Sequence, residues 1–195
     1  MLVSALLFHF YYDVNMIFGN NLRWYSQPLV HIWQQYICIS FLFISGISWH
    51  FSKNNIKRGI QLNLYGLLIT AVTLIFMPSQ VVWFGILNCI GCATLLLELM
   101  HRIKKNIQLR AQRKNSTAAL YGMTGLCTCL IMFLITRHIN DGYLWLAGFK
   151  FLLPQGLYHF KPMTILGFPY PGFFSSDYFS ILPWFFIFLA GYYFW

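Results

Sequence analysis

Charge is what this chain has least of. Only 9% of its 195 residues are Asp, Glu, Lys or Arg, and four are acidic against thirteen basic. A soluble domain carries about 25% charged residues. With 58% hydrophobic and 20% aromatic residues, and a mean hydropathy of +0.61, no soluble core of this length could hide so much apolar surface. Other absences narrow the reading. No phosphate-binding P-loop, G-x-G-x-x-G, zinc spacing or serine-nucleophile elbow occurs. No aromatic-and-basic recognition motif accompanies the net charge of +9, which argues against nucleic acid. The first segment has no basic n-region and carries His9 and Asp13 in its apolar run, so it is not read as a cleavable signal. The cysteines number five (Cys38, Cys89, Cys92, Cys127, Cys129) and all lie in apolar stretches. Even the C-x-x-C of Cys89 and Cys92 reads as small packing residues in a helix rather than as a redox or metal site.

What is present is a series of long apolar runs. A spanning helix needs about 20 mostly apolar residues. Six segments approach this: Met1 to about Gly19, Ile32 to Trp49, Ile60 to Phe76, Val81 to Met100, Ala118 to Thr136, and Tyr178 to Trp195. The expectation is therefore an all-α polytopic transmembrane bundle of about six helices, forming a single domain over residues 1–195. Gly142 to Pro154 is too short to span. With the Pro- and Gly-rich Leu166–Phe174 it reads as a partly buried loop, a re-entrant segment or a seventh, broken helix.

Orientation follows from the basic residues. The loops after the second and fourth helices hold Lys53, Lys57 and Arg58, and Arg102, Lys104, Lys105, Arg110, Arg113 and Lys114, nine of the thirteen. The intervening loops hold only Arg23, Arg137, Lys150 and Lys161. By the positive-inside rule both termini are cytoplasmic. Trp24, Tyr25, Trp33 and Tyr36 read as an interfacial aromatic belt.

Ionisable groups within membrane segments point to function. His9 and Asp13 are four apart and share a helical face. Asp13 can orient the imidazole as a general base, or the pair can simply pack helices together. His31, in HIWQQY, sits at the mouth of the second helix as a second base or an ordinary interfacial residue. Asn88 either joins helices or lines a polar cavity. Ser175, Ser176 and Asp177 read as cap residues opening the last helix. The basic clusters orient the chain or bind phosphates of a nucleotide-like donor. His50, His101, His138 and His159 give little signal.

The order of several pieces carries a resemblance. FHFYYDVNMIFG, HIWQQYICISFLFISGIS, IKRGIQLNLYGLLITAVTLIF, VVWFGILNCIG and SSDYFSILPWFFIFLAG follow one another along the chain. Together they resemble bacterial proteins related to the catalytic domain of heparan-alpha-glucosaminide N-acetyltransferase, in the transmembrane acyltransferase superfamily. The resemblance implies acyl transfer from cytosolic acetyl-CoA, or another acyl-CoA, to an amine or hydroxyl of a small molecule or glycan at the outer face. No metal is implied. Carried over by position, it makes His9, Asp13 and His31 the catalytic set. Lys57 and Arg58 would face the donor phosphates, with Asn88 at the donor side. Trp33, Gln34 and Asp177 would lie on the acceptor side. It further implies a bacterial inner-membrane location, contact with lipid, and room for a homo-oligomer.

Two departures from the family pattern stand out. Relatives usually open with an acidic residue and an Arg-Gly pair about ten residues before the first-helix histidine, whereas here Met1 lies eight residues before His9. Asn88 stands where many relatives carry a histidine. The rival expectations are a small transporter or channel, whose path His9, Asp13 and Asn88 would line, and a shortened non-catalytic membrane subunit.

Overall fold

The computed structural model describes residues 1–16, 28–111, 118–146 and 148–195. The expected end of the first span near Gly19, Arg23, the belt residues Trp24 and Tyr25, and Arg113 and Lys114 lie outside the described residues, as does the Arg110 side chain. The chain is an all-α polytopic membrane bundle with α1 (Leu2–Met16), α2 (Pro28–Ile47), α3 (Asn55–Phe76), α4 (Ile86–Ala111), α5 (Ala118–Thr136) and α6 (Ile181–Phe194). Four stretches are long and apolar enough to cross a bilayer: Pro28–Ile47, Asn55–Phe76, Ile86–Asn106 and Gly122–Asp141. The other two of the expected six are shorter, α1 with 15 residues and α6 with 14. At 1.5 Å per residue each covers roughly 20 Å of a ~30 Å hydrocarbon core.

Two compact units are present, residues 1–41 and 42–195. In the first, Phe8, Val30 and Ile37 form a buried cluster, with Ala5, Trp33 and Phe41 packed on it. Trp33 meets Phe8 edge-on at 5.4 Å and donates from Nε1 to Ser4 Oγ at 2.8 Å.

The second unit is organised by small residues. Helices in lipid gain little from apolar contact alone, so close backbone approach decides their packing. Along α3, Gly59, Asn63, Gly66 and Thr70 recur at spacings of four and three and face α4. A Cβ on Gly59 would stand 2.7 Å from Leu95, and one on Gly66 would stand 1.8 Å from Asn88 Oδ1. Facing them, a Cβ on Gly91 would meet Asn63 at 2.4 Å. The pairing is antiparallel, so the α3 N-terminus lies beside the middle of α4, and the second half of α4 runs on past it. A second seam joins α2 to α6: a Cβ on Gly46 would lie 2.0 Å from the Phe188 carbonyl oxygen, and one on Gly191 equally close to that of Phe43. The Asn54 side chain, accepting from Lys57 N at 3.0 Å, starts α3 as an N-cap.

Between α5 and α6 the structure departs from the expected loop or broken helix. A two-stranded antiparallel hairpin, β1 (Tyr143–Leu146) with β2 (Phe149–Leu152), is followed by two 3-10 turns, Gln155–Tyr158 and Lys161–Leu166. Seven of the eight strand residues are aliphatic or aromatic, Lys150 is the exception, and Gly148 at φ 89° makes the turn.

The reading of Ser175–Asp177 as helix caps is corrected. Helix α6 begins at Ile181 with Ser180 at its N-cap position. The serines instead fasten residues 175–179 to the turn before α4. Ser176 N donates to Val81 O and Phe179 N to Phe84 O, each at 3.0 Å. Ser175 Oγ accepts from Trp83 N at 2.9 Å, and Ser176 Oγ donates to Gln80 O at 2.9 Å. Phe84 takes φ 55°, rare for a bulky residue, and this turns the chain into α4.

Candidate functional site

In the first unit, His9 and Asp13 are both exposed on α1, and among the described residues no hydrogen bond or ion pair joins them. His31 is exposed near the start of α2, Trp33 packs on Phe8 and Tyr11, and Gln34 is half-buried.

In the second unit, one end gathers the cations. Lys57 is exposed, while Arg58 is half-buried and donates to Ser48 Oγ at 2.6 Å. Because α3 and α4 run antiparallel, Arg102, Lys104 and Lys105 lie at the same end. There Glu98, His101, Arg102, Lys105 and Asn106 line a hollow of about 370 Å³, with Glu98 held by Arg102 at 2.9 Å. Trp49 sits between His101 and Tyr192, with ring centroids at 5.4 and 5.2 Å. His50 stacks on Tyr192 and faces its carbonyl oxygen at 3.0 Å. Trp49 Nε1 and Asn55 Oδ1 are buried here without a partner among the described residues, a donor and an acceptor in neighbouring positions.

Asn88 does not join this cluster. It lies against Gly66, which is eight residues on from Arg58, roughly 12 Å along α3. Asn88 is buried and its Oδ1 has no partner among the described residues. Nearby, Asn63 Nδ2 donates to Gly59 O at 2.9 Å and the Cys92 thiol faces Asn63 Oδ1 at 3.3 Å. A polar thread of amides and a thiol thus runs inside the α3–α4 seam. Asp177 is placed at the first turn of α4, its carboxylate 3.2 Å from where a Cβ on Gly85 would stand. A helix N-terminus favours a negative charge there.

The other end mixes the carboxylates Asp141 and Asp177 with Arg137, Lys150 and Lys161, and carries several side-chain amides. Fully buried Cys89 faces the carbonyl of Ser180 at 3.6 Å. Ser180 Oγ lies within reach of Asn140 Oδ1 at 3.1 Å and of the Leu182 carbonyl. Tyr178 donates to Thr164 O, and Tyr158 donates to Ile139 O. Above them opens a cleft of about 630 Å³, lined among others by Asn140, Asp141, Gln155, Tyr158, His159 and Pro169. Burial, then the Asp141 charge, holds the Tyr158 phenol above its ordinary pKa, so it stays a donor at neutral pH. His159 Nδ1 faces Gln155 O at 3.0 Å. A carbonyl oxygen only accepts, so that bond requires a proton on Nδ1. His138 stacks on Tyr143 at 4.9 Å and meets Asp141 Oδ2 at 3.1 Å. The sequence reading passed over both histidines. The one available signal was the H-x-x-D of His138 and Asp141, which shares a face only because a tight turn follows α5.

A helical bundle of long apolar segments, with a cluster of cations at one end and a polar seam inside it, defines an integral membrane protein. The family profile for heparan-alpha-glucosaminide N-acetyltransferase, catalytic, matches residues 1–113 and 118–194, and the chain belongs to that family. It is thus of the membrane acetyltransferase type. No curated protein and no solved structure matches the chain significantly.

Proposed function

We propose that the chain moves an acetyl group from acetyl-CoA, bound at the basic end, to an amine or hydroxyl acceptor bound at the opposite end. The observation that supports this best is the cluster of cations at one end of the second unit, where Glu98 is the single acidic side chain among the described residues. Phosphate groups pair well with clustered Lys and Arg, and Lys57, Arg102 and Lys105 offer such a cluster on two neighbouring helices. The acceptor end offers Asp141 for an ammonium and the side-chain amides of Asn140 and Gln155 for hydroxyls. The basic end faces the cytosol by the positive-inside rule. A bacterial inner membrane fits the resemblance to bacterial relatives.

In the reaction a histidine takes a proton from the acceptor nitrogen or oxygen. The new bond forms to the thioester carbonyl carbon, the C–S bond breaks, and the coenzyme leaves as a thiolate that is reprotonated. His9 and His31 are the candidate bases on the first unit, with Trp33 and Gln34 following His31 on α2. His159 is the candidate on the second. Asn88 contributes polarity along the seam, and Asp177 holds charge at the start of α4. A positioned base is worth about 10²–10⁴ in rate.

The test is release of free coenzyme A thiol from acetyl-CoA by the protein in lipid vesicles, in the presence of glucosamine. His9→Ala, His31→Ala and His159→Ala are compared with the native chain, and one of them should lose at least ~100-fold. Full turnover in all three removes the mechanism. Solute flux through the vesicle wall without thioester consumption would replace an enzyme with a transporter.

A further inference from the structure

The hairpin between α5 and α6 has no use in the reaction as described, and its composition is unusual for a solvated turn. Side chains alternate along a strand, so the register sorts them. Leu144, Leu146, Phe149 and Phe151 share one face, while Tyr143, Trp145, Lys150 and Leu152 share the other. The first face is wholly apolar, and Phe149 on it is 71% exposed. On the second, Lys150 Nζ stands 4.8 Å over the Tyr143 ring and 5.8 Å over Trp145. An isolated two-stranded hairpin is marginal in water, and an exposed apolar surface of this kind calls for a covering phase.

Its position says which phase. The apolar stretch Gly122–Asp141, long enough to cross a bilayer, ends at Asp141, and β1 begins two residues later, packed against α5. The hairpin therefore lies at the membrane boundary, where Trp, Tyr and Lys collect because one part of each side chain is apolar and the other polar. Leu152 belongs to both surroundings. It is 84% exposed at the hairpin end and, with Leu153, also forms one wall of the 630 Å³ cleft whose other walls include Asp141, Gln155, Tyr158 and His159. One way into a polar cleft thus runs over an apolar, lipid-side ledge.

We infer that the acceptor is an amphiphile delivered from the leaflet, its polar head entering the cleft beside Asp141 while its hydrocarbon part stays in lipid along the hairpin. This rests on the acetyltransferase reading for the identity of the head group's reaction, but the lipid-side access does not. A freely soluble acceptor would have no need of an apolar threshold, and the same amine head can be presented with or without a chain, so the two sources separate cleanly.

The probes are dodecyl β-glucosaminide and free glucosamine, with acetyl-CoA, acting on the full chain in lipid nanodiscs. The expected result is a kcat/KM for coenzyme A release at least tenfold higher with the dodecyl compound, falling toward a ratio of one in Phe149→Asp. In parallel, phosphatidylcholine with brominated acyl chains should quench the part of the tryptophan emission that Trp145→Phe removes, a reading that needs no activity and no disruptive variant. Equal kcat/KM for the two sugars in the native chain overturns the inference and leaves the acetyltransferase reading standing. Unquenched Trp145 overturns it too, as does a dimer that shields the hairpin. If neither sugar releases coenzyme A, while bromolipid quenches Trp145 and dodecyl glucosaminide but not glucosamine shifts its emission, the acetyltransferase reading falls and the lipid-side site stands.

Discussion

The two ends of the second unit are built on the same helices and differ in almost everything else. At the end formed by the α3 N-terminus and the α4 C-terminus, the polar groups are long cations on helix surfaces: Lys57, Arg58, Arg102, Lys105. At the opposite end the chain leaves the helix for some forty residues of hairpin, 3-10 turns and extended segment, and there the carboxylates Asp141 and Asp177 sit among amides and aromatic rings. Helix surfaces suit long, solvated cations that need reach and little fixation. A cleft with directional hydrogen bonds needs backbone that can bend, which regular helix cannot supply. The seams of glycine and amide between α3 and α4, and between α2 and α6, hold the two ends at a fixed separation.

The largest effect should come from breaking a seam. Gly46→Leu or Gly191→Leu would drive a side chain into a backbone carbonyl that already lies 2.0 Å from the Cβ position. Such a group cannot swing aside, so the cost exceeds the ~1–3 kcal/mol usual for overpacking. Loss of the monodisperse peak in detergent is the expected readout. Gly66→Ala meets a side chain, Asn88 Oδ1, which can move. It should be milder, and Gly66→Ala with Asn88→Ala should recover part of the thermal stability. Absence of any recovery would mean that the two residues do not meet.

Next in size is charge reversal at the basic end. Lys57→Glu with Arg102→Glu should raise KM for acetyl-CoA at least ~10-fold, the factor that follows from losing even one charge-assisted hydrogen bond of about 1.5 kcal/mol. The acceptor KM should stay where it is. A parallel rise in both would blur the division between the ends. Asp141→Asn tests the other side: acceptor KM is expected to rise several-fold for an amine, with the donor KM unchanged.

The smallest effect concerns Tyr158, whose hydroxyl bonds the Ile139 carbonyl. Tyr158→Phe should cost about 1 kcal/mol, seen as a small fall in thermal stability. Its phenol is raised above the ordinary value by burial and Asp141, so its contribution is fully present below the unfolded pKa of about 10. It is lost progressively above that, because the unfolded chain ionises first. Absorbance titration should find one tyrosine ionising later in the native chain than in Tyr158→Phe.

Much of this was legible in the sequence, and for identifiable reasons. Lipid leaves a compositional mark over about twenty residues, so α5 was placed at its observed limits, Ala118–Thr136. Family likeness was readable because short pieces kept their order. Charge separation was readable because Lys and Arg are counted by loop. Other features were beyond a local reading. Asp177 was assigned to the helix nearest in sequence, yet the bonds from Ser175 and Ser176 carry it to α4, ninety residues upstream. The Gly142–Pro154 segment had the hydrophobicity of a membrane piece, and its pairing as a hairpin rests on cross-strand bonds that its nearly uniform apolar run does not announce.

The sequence by itself determined that this chain lives in a membrane, which family it belongs to and where its cations lie, because each depends on composition or on residues close together along the chain. Only the tertiary structure decided that Gly66 faces Asn88, that Gly46 and Gly191 let two backbones touch, and that Asp141, Tyr158, His159 and Leu152 share one cleft. Those are contacts between residues distant along the chain, set by shape and hydrogen-bond geometry, and no local pattern encodes which distant partner a side chain will meet.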